Sequence, residues 1–168
     1  MSTFVAANTY AHTTTYIADK MLHSLKFIIR ESGLNPAKFV KDWVWMERGI
    51  RTWLGTRDLE HVVLEVFDPG DTGLIGRWDF EIVYGYGLDG DGGMWVDTDA
   101  IRYAIRKACL WPSQCDYRLV ATTKSGRPDV EGWSSTTLRS TDGFIRQSIG
   151  TTIGAVGAGT STAYWRRS

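Results

Sequence analysis

The sequence is poor in the residues from which metal sites and many catalytic sites are built. Its 168 residues include only two cysteines and three histidines. Two cysteines without a histidine cluster make a poor zinc site, and we expect Cys109 and Cys115 to be ordinary reduced thiols of a cytoplasmic protein. Basic and acidic residues number 19 each. This balance argues against a general nucleic-acid-binding protein, which would carry a basic excess.

Long apolar runs are also missing. Residues 1–16 lack a basic start followed by an apolar run, so no signal peptide is predicted. The uncharged stretch 147–165 is long enough to cross a bilayer, but it is too rich in Gly, Ser and Thr for a membrane span to be favourable. With 43% hydrophobic residues and 8 Trp, 7 Tyr and 6 Phe, the chain is expected to fold as one domain with a full core.

Familiar catalytic motifs are absent as well. There is no phosphate-binding G-x-x-x-x-G-K-[ST], no nucleophile elbow and no H-E-x-x-H, and we expect structural roles for the three histidines, His12, His23 and His61. Asp89-Gly90-Asp91-Gly92-Gly93 suggests a calcium loop, but its twelfth position is Ala100, where an EF-hand needs Glu. We predict no cofactor, metal or catalytic residue. A small hydrolase or metal-dependent enzyme that uses Asp89 and Asp91 is the alternative.

Apolar periodicity predicts three helices. The first is capped by Thr13, Thr14 or Thr15 and ends at Ser32, before Gly33. The second begins at Asn35-Pro36 and ends near Gly55. Its apolar residues are spaced to share one face, and they are Phe39, Trp43, Met46, Ile50 and Trp53. The third is capped by Asp97 or Thr98 and ends at Trp111-Pro112.

Alternating patterns predict strands between these helices. Residues 61–67 and 74–84 are joined by the turn residues 68–73 and predict a β-hairpin with one buried face. Residues 117–123 predict a further strand. The order helix, helix, strand, strand, helix, strand predicts an α+β fold, with helices packed on one face of a mainly antiparallel sheet.

The last part of the chain differs from the rest in composition. Between Trp133 and Ala163, 17 of 31 residues are Ser, Thr or Gly. The segment then ends in Tyr164-Trp165-Arg166-Arg167, and two large rings gain most by being buried. We therefore expect a long, weakly packed flap whose tip docks on the rest of the protein and which can adopt two arrangements.

Several short motifs, taken in order, resemble those of HORMA domains. They are the strand Arg77-Trp78-Asp79-Phe80-Glu81-Ile82, the helix 101–106, the strand end 120–123, the segment 128–133, the pair Arg139-Ser140 and the terminal Ala163-Tyr164. The length, the glycine loop and the Trp-Arg-Arg ending look more like the compact bacterial HORMA proteins than the eukaryotic checkpoint ones.

The resemblance implies a single HORMA-like domain, with a core of residues 1–132 and a mobile safety belt of residues 133–168. In the family, the belt closes around a short partner peptide, the closure motif, which adds to the sheet as a strand. The implied peptide-binding residues come from the edge strand and from the start and latch of the belt. They are Tyr117, Leu119, Ala121, Thr123, Trp133, Tyr164 and Trp165.

The bacterial HORMA proteins are encoded with a cyclic-oligonucleotide synthase and an AAA+ remodelling ATPase in anti-phage defence (CBASS) operons. The resemblance therefore implies a non-enzymatic, cytoplasmic adaptor that activates the synthase, a nucleotidyltransferase, and is reopened by the ATPase through residues 1–12. A second HORMA protein is a further implied partner, with this chain as receptor or donor of the closure motif. We expect neither a membrane nor a specific nucleic-acid partner. A structural domain whose belt embraces a second copy is another alternative.

Overall fold

The computed structural model describes residues 5–86, 93–108 and 110–167. These residues form four helices and six strands. In chain order they are α1 (Val5–Glu31), α2 (Ala37–Lys41), α3 (Trp43–Thr56), β1 (Leu59–Phe67), β2 (Leu74–Tyr84), β3 (Trp95–Val96), α4 (Thr98–Ala108), β4 (Asp116–Thr123), β5 (Phe144–Ala155) and β6 (Ala158–Arg167). Within this part of the chain, no helix has the length and apolar character that a bilayer crossing requires.

All strands belong to one sheet, in the order β3-β5-β6-β2-β1-β4. Every strand pair in the described part of the sheet is antiparallel. The predicted α+β class is confirmed, and the hairpin of β1 and β2 forms where its alternating pattern indicated. The prediction that only one face of this hairpin is buried is wrong for β1, where every residue from Val62 to Val66 is buried, because the C-terminal segment covers the other face at Glu65. β4 extends the sheet beyond β1 and lies at one end of it.

The core lies between the helices and one face of the sheet. α1 packs against α3, α4 and β5, and its apolar stripe is fully buried at Ile17, Met21, Leu25 and Ile28. The facing strands contribute alternate residues, because successive side chains of a strand point to opposite faces. These residues are Val62, Leu64 and Val66 from β1 and Trp78, Phe80 and Ile82 from β2.

The C-terminal segment departs most from expectation. β6 pairs with β2 from Tyr84 to Arg77, so it lies inside the sheet, and β5 pairs with its other side. The prediction of a weakly packed flap is wrong for this hairpin. Its threonines favour strands, and its small side chains let it approach the helices, where Thr13 Oγ1 donates to Val156 O at 2.6 Å. As predicted, the tip is docked: the Tyr164 ring is buried against Trp78.

Two helix boundaries also differ from the predictions. α1 already includes Val5, so the threonines expected to cap it lie inside the helix and bond to carbonyl oxygens instead: Thr14 Oγ1 donates to Ala11 O at 2.9 Å. The second predicted helix is divided into α2 and α3 by Asp42, whose backbone angles (φ −95°, ψ 7°) depart from helical values. The capping position of α2 is Pro36 rather than Asn35, although Asn35 still takes part in the helix start, since Ala37 N donates to Asn35 Oδ1 at 2.9 Å.

Candidate functional site

The outer edge of β4 has no partner strand in the described part of the sheet. At the N-terminal end of β4, two side chains form hydrogen bonds with the backbone groups of Tyr117. Tyr117 N donates to Asp116 Oδ1 at 2.7 Å, and Lys38 Nζ donates to Tyr117 O at 2.8 Å. Because both partners are side chains rather than β1, the backbone groups of Tyr117 point away from the sheet.

The direction of backbone groups alternates along an antiparallel strand. The pairing of β4 with β1 is regular from Asp116 to Thr122, so Leu119 and Ala121 also direct their N–H and C=O groups outward. The four outward groups are the N–H and C=O of Leu119 and of Ala121. In the described part of the chain, none of them takes part in a backbone hydrogen bond outside the regular ladders. The edge therefore offers two donors and two acceptors to an added strand, at positions two residues apart.

Trp133 is the first residue of the belt, and it is anchored beside this edge on the helix side of the sheet. Its Nε1 donates to Trp45 O at 2.9 Å, and its ring meets Trp53 edge-on, with centroids 5.0 Å apart. The ring covers Gly49 of α3 so closely that a Cβ at Gly49 would overlap with it. Gly132, just before the belt, has φ +92°, a value that glycine adopts without strain.

The belt next passes around the edge to the other face of the sheet. Arg118, on the outer face of β4, donates to Thr136 Oγ1 at 2.8 Å and to Thr137 O. Its Nε also donates to Glu65 Oε1 at 2.7 Å. Arg118 thereby connects β4, β1 and the belt.

Glu65 fastens the belt on that outer face. Its side chain is fully buried, and a buried carboxylate is tolerated only when it is paired and hydrogen-bonded. Arg139 N donates to Glu65 Oε2 at 2.6 Å, and the guanidinium of Arg139 donates to Glu65 Oε1 at 2.9 Å and to Thr72 O at 2.7 Å. The same guanidinium lies 3.7 Å from the centroid of Phe67.

Between these two anchors, two adjoining cavities follow the free edge of β4. We call them together the edge groove. The larger measures about 320 Å³ and its walls include Phe39, Trp45, Met46, Leu119 and Trp133. The smaller measures about 190 Å³ and its walls include Trp53, Leu119, Ala121, Arg127 and residues 134–136.

Five of the predicted site residues line this edge groove, namely Tyr117, Leu119, Ala121, Thr123 and Trp133. Tyr164 and Trp165 do not. They lie in β6, which is separated from β4 by β2 and β1, a distance of about 14 Å at the usual strand spacing. An added strand on β4 is out of their reach. Tyr164 packs on Trp78, and Trp165 lies against the guanidinium of Arg77.

Several residues of the site were not identified from the sequence, although two of them carry a signal there. Gly49 lies inside a helical pattern, which often indicates close packing by a neighbour. Glu65 interrupts an otherwise apolar strand, Val62 to Val66. By contrast, nothing in the local pattern indicates that Lys38 and Asp116 form an ion pair at 2.7 Å.

The candidate catalytic groups occupy ordinary structural positions where the structure describes them. His23 contacts Trp43 and Asp19. His61 Nδ1 lies 2.9 Å from Asp79 Oδ1, and Asp79 also accepts from Arg77 at 3.0 Å. Within residues 5–86, 93–108 and 110–167, no group of three His, Cys, Asp or Glu side chains could hold a metal ion. The proposed calcium loop with Asp89 and Asp91 lies outside the described residues, as does Cys109.

Comparison with known proteins supplies a family and several structural relatives. The family model described as Bacterial HORMA domain 2 matches residues 1–168. A search of curated proteins finds no match to the chain. The solved structures that resemble it include a chain of the mitotic checkpoint complex, with a TM-score of 0.75 and 8% identity over 93% of this chain and 99% of that one.

A second relative is C. elegans HTP-2 bound to the HIM-3 closure motif, with a TM-score of 0.54 and 13% identity over 74% of this chain and 68% of that one. At these identities the two likenesses show a shared fold. The CdnC:HORMA-deltaN complex of E. coli MS115-1 also matches, with a TM-score of 0.49 and 12% identity over 88% of this chain and 86% of that one.

The anchoring of Trp133 on Gly49 can be tested with two alanine variants of α3. We expect Gly49→Ala to displace the Trp133 ring, to lower the free energy of unfolding by about 1–3 kcal/mol and to speed amide exchange in residues 134–138. Gly55→Ala is the matched control, because a Cβ there would have no neighbour within 4 Å. Equal stability and equal exchange in the two variants would contradict this anchoring.

The ion pair of His61 and Asp79 predicts a pH dependence of stability. The hydrogen bond to Asp79 raises the pKa of His61 above its ordinary value of 6.5, although burial opposes the shift. Burial would raise the pKa of Asp79, but His61 and Arg77 hold it below 3.8. A raised histidine pKa stabilises the fold fully below 6.5, and this contribution is lost as the pH rises through the folded-state value; the depressed Asp79 pKa stabilises above 3.8.

We therefore expect the wild type to lose stability relative to His61→Gln as the pH rises from 6.5 into the alkaline range, by less than about 1 kcal/mol because the imidazole is partly exposed. Urea unfolding of both proteins across this range measures the difference. A difference that is constant or grows with pH would exclude the ion pair as its source.

Proposed function

The chain belongs to the bacterial HORMA domain 2 family, and from this premise we propose that it is a non-enzymatic adaptor that holds a closure-motif peptide. In this proposal, the peptide adds as a strand to the free edge of β4 and lies in the edge groove. The belt encloses it from outside. HTP-2, which shares the fold, is known in a complex with the HIM-3 closure motif.

The observation that carries this proposal is the unpaired edge at Leu119 and Ala121. Exposed strand edges are usually blocked or covered, because they attract other chains. Here the Tyr117 end is blocked by the side chains of Asp116 and Lys38, whereas the next two outward positions face cavities. Strand addition would satisfy all four backbone groups and leave side-chain pockets to set specificity.

The belt supports the proposal because it is fastened on both sides of that edge. Trp133 holds it on the helix side, and Arg139 holds it to Glu65 on the outer face. A peptide in the edge groove would therefore be enclosed rather than simply laid on the surface. We propose that Tyr164 and Trp165 act as the latch at a distance, by keeping β6 in the sheet beside β2.

The partners are proposed from the family. We propose that the peptide-bound chain activates a cyclic-oligonucleotide synthase in the cytoplasm as part of anti-phage defence, and that an AAA+ ATPase reopens the belt. Residues 1–12 are the proposed contact for the ATPase. Residues 5–12 of this segment form the first turns of α1. A second HORMA protein is proposed as one source of the closure motif.

Two proline variants of β4 test the proposed strand addition. Ala121→Pro removes an N–H that points outward, a position where sheets tolerate proline. We expect this variant to keep its fold but to recover at least about tenfold fewer clones from a displayed random heptapeptide library. Val120→Pro is the control, since its N–H faces β1, and it should destabilise the protein by removing a hydrogen bond of the β1–β4 ladder.

A wild-type chain that retains no heptapeptides would refute the peptide-binding proposal. So would an Ala121→Pro variant that is folded and retains the same clones as the wild type. Circular dichroism and urea unfolding of each variant report whether the fold is kept.

The synthase is tested separately. We expect a nucleotidyltransferase gene and an AAA+ ATPase gene beside the gene for this protein, and we expect the purified chain with its peptide to increase product formation by that synthase. Addition of the ATPase with ATP should reverse the increase. A synthase whose output is the same with and without the chain would contradict this part of the proposal and leave peptide binding standing.

A further inference from the structure

We propose that the edge groove selects peptides by two side chains spaced two residues apart, a bulky apolar one opposite Leu119 and a short polar one opposite Ala121. This inference rests on the proposed strand addition to β4 and specifies the ligand of that site. It follows from where the free backbone groups lie, what surrounds each of them, and what prevents the peptide from shifting.

The spacing follows from the strand itself. Leu119 and Ala121 direct their backbone groups outward, and their side chains share the helix face of the sheet with Leu64 and Val62, their partners in β1. A residue paired with either of them points its own side chain to the same face. Two alternate peptide side chains therefore face the edge groove, while the one between them faces the belt near Arg118.

The larger cavity fits a bulky apolar side chain. Its volume of about 320 Å³ is ample for an aromatic ring, since apolar cavities of about 150 Å³ bind benzene. Phe39 and Met46 are the buried apolar part of its lining, and Trp45 and Trp133 are the more open apolar part. Charged side chains border the same cavity, namely Lys38, Asp42 and Arg118. Trp45 is 39% exposed, which is unusual for so large an apolar side chain in a cavity wall, and an apolar ligand would cover it.

The smaller cavity fits a different residue. It measures about 190 Å³ and is bordered by residues 134–136, two serines and a threonine. Arg127 also lines it, with its guanidinium over the Trp53 ring at 5.1 Å and paired with the fully exposed carboxylate of Asp129. The hydroxyls, and a guanidinium whose present partner is an exposed carboxylate, favour a short side chain with an acceptor oxygen, such as Asp, Ser or Thr.

The register of the peptide is limited at one end. Shifting by two residues toward Asp116 would require the backbone groups of Tyr117, but these are already bonded to Asp116 Oδ1 and Lys38 Nζ. Lys38 is held there by a second contact, its 2.7 Å ion pair with Asp116. A bulky residue therefore cannot pair beyond Leu119 toward Asp116, and the larger cavity is the first place along the edge that can receive it.

Sequencing of the heptapeptides retained by the full chain tests this selectivity. We expect Phe, Trp, Leu or Met to be enriched at one position and Asp, Ser or Thr two positions away, with the residue between them unrestricted. For synthetic peptides based on a retained sequence, replacing the apolar residue with Ala should weaken binding about tenfold or more. The order of the two selected residues in the peptide also reports the orientation of the added strand. The strand is parallel to β4 if the bulky residue comes first and antiparallel if the short polar residue comes first.

Two neighbouring residues of α3 provide the matched variants. Trp45→Ala removes part of the wall of the larger cavity and should abolish the preference for the bulky residue. Val44→Ala is the control, because Val44 is more exposed than Trp45 and does not line the cavity, and it should leave the preference unchanged.

The outcomes separate this inference from the function on which it rests. If no heptapeptide is retained, strand addition itself fails and the selectivity fails with it. If peptides are retained and Ala121→Pro abolishes their binding, but no apolar position is enriched, then only the selectivity is wrong. The same holds if Trp45→Ala and Val44→Ala retain the same sequences.

Discussion

The buried carboxylate of Glu65 is the constraint on which the arrangement of the belt depends. A carboxylate removed from water needs cationic partners and hydrogen bonds, and β1 supplies none of them. They come from Arg118 in β4 and from Arg139 in the belt. The charge in the core strand therefore holds the belt on the outer face of the sheet, and removing the belt would leave that charge without one of its two cations.

The belt is held on both faces of the sheet, and it therefore encloses the edge of β4. Trp133 fits onto Gly49 on the helix side, and Arg139 reaches Glu65 on the outer face, so the belt must pass around the edge between them. The enclosed backbone groups of Leu119 and Ala121 are open to pairing, but a peptide paired there could not leave sideways. Release would require the ion cluster of Glu65 or the packing of Trp133 to break, which is consistent with the proposed need for an ATP-driven partner.

The sequence predicts the helices and strands of the core better than the contacts that hold the belt. The hairpin of β1 and β2, the third predicted helix and the strand Tyr117 to Thr123 follow from local periodicity. That this last strand receives a peptide at the edge of the sheet was implied only by the resemblance to HORMA domains. The belt hairpin does not follow from it, because a segment rich in Gly, Ser and Thr looks weakly packed until its pairing with β2 is known. Glu65 and Arg139 are 74 residues apart, and no local pattern links them. Tyr164 and Trp165 were identified as anchoring rings, but only the sheet order places them away from the edge groove.

Amide hydrogen exchange of the full chain, with and without a retained heptapeptide, tests the central claim most directly. We expect peptide binding to slow exchange at Leu119 and Ala121, whose N–H groups gain partners, and to leave Tyr117 unchanged, because its N–H already donates to Asp116. Protection that appears instead at the opposite edge of the sheet, on β3, while Leu119 and Ala121 exchange as in the free protein, would contradict strand addition to β4.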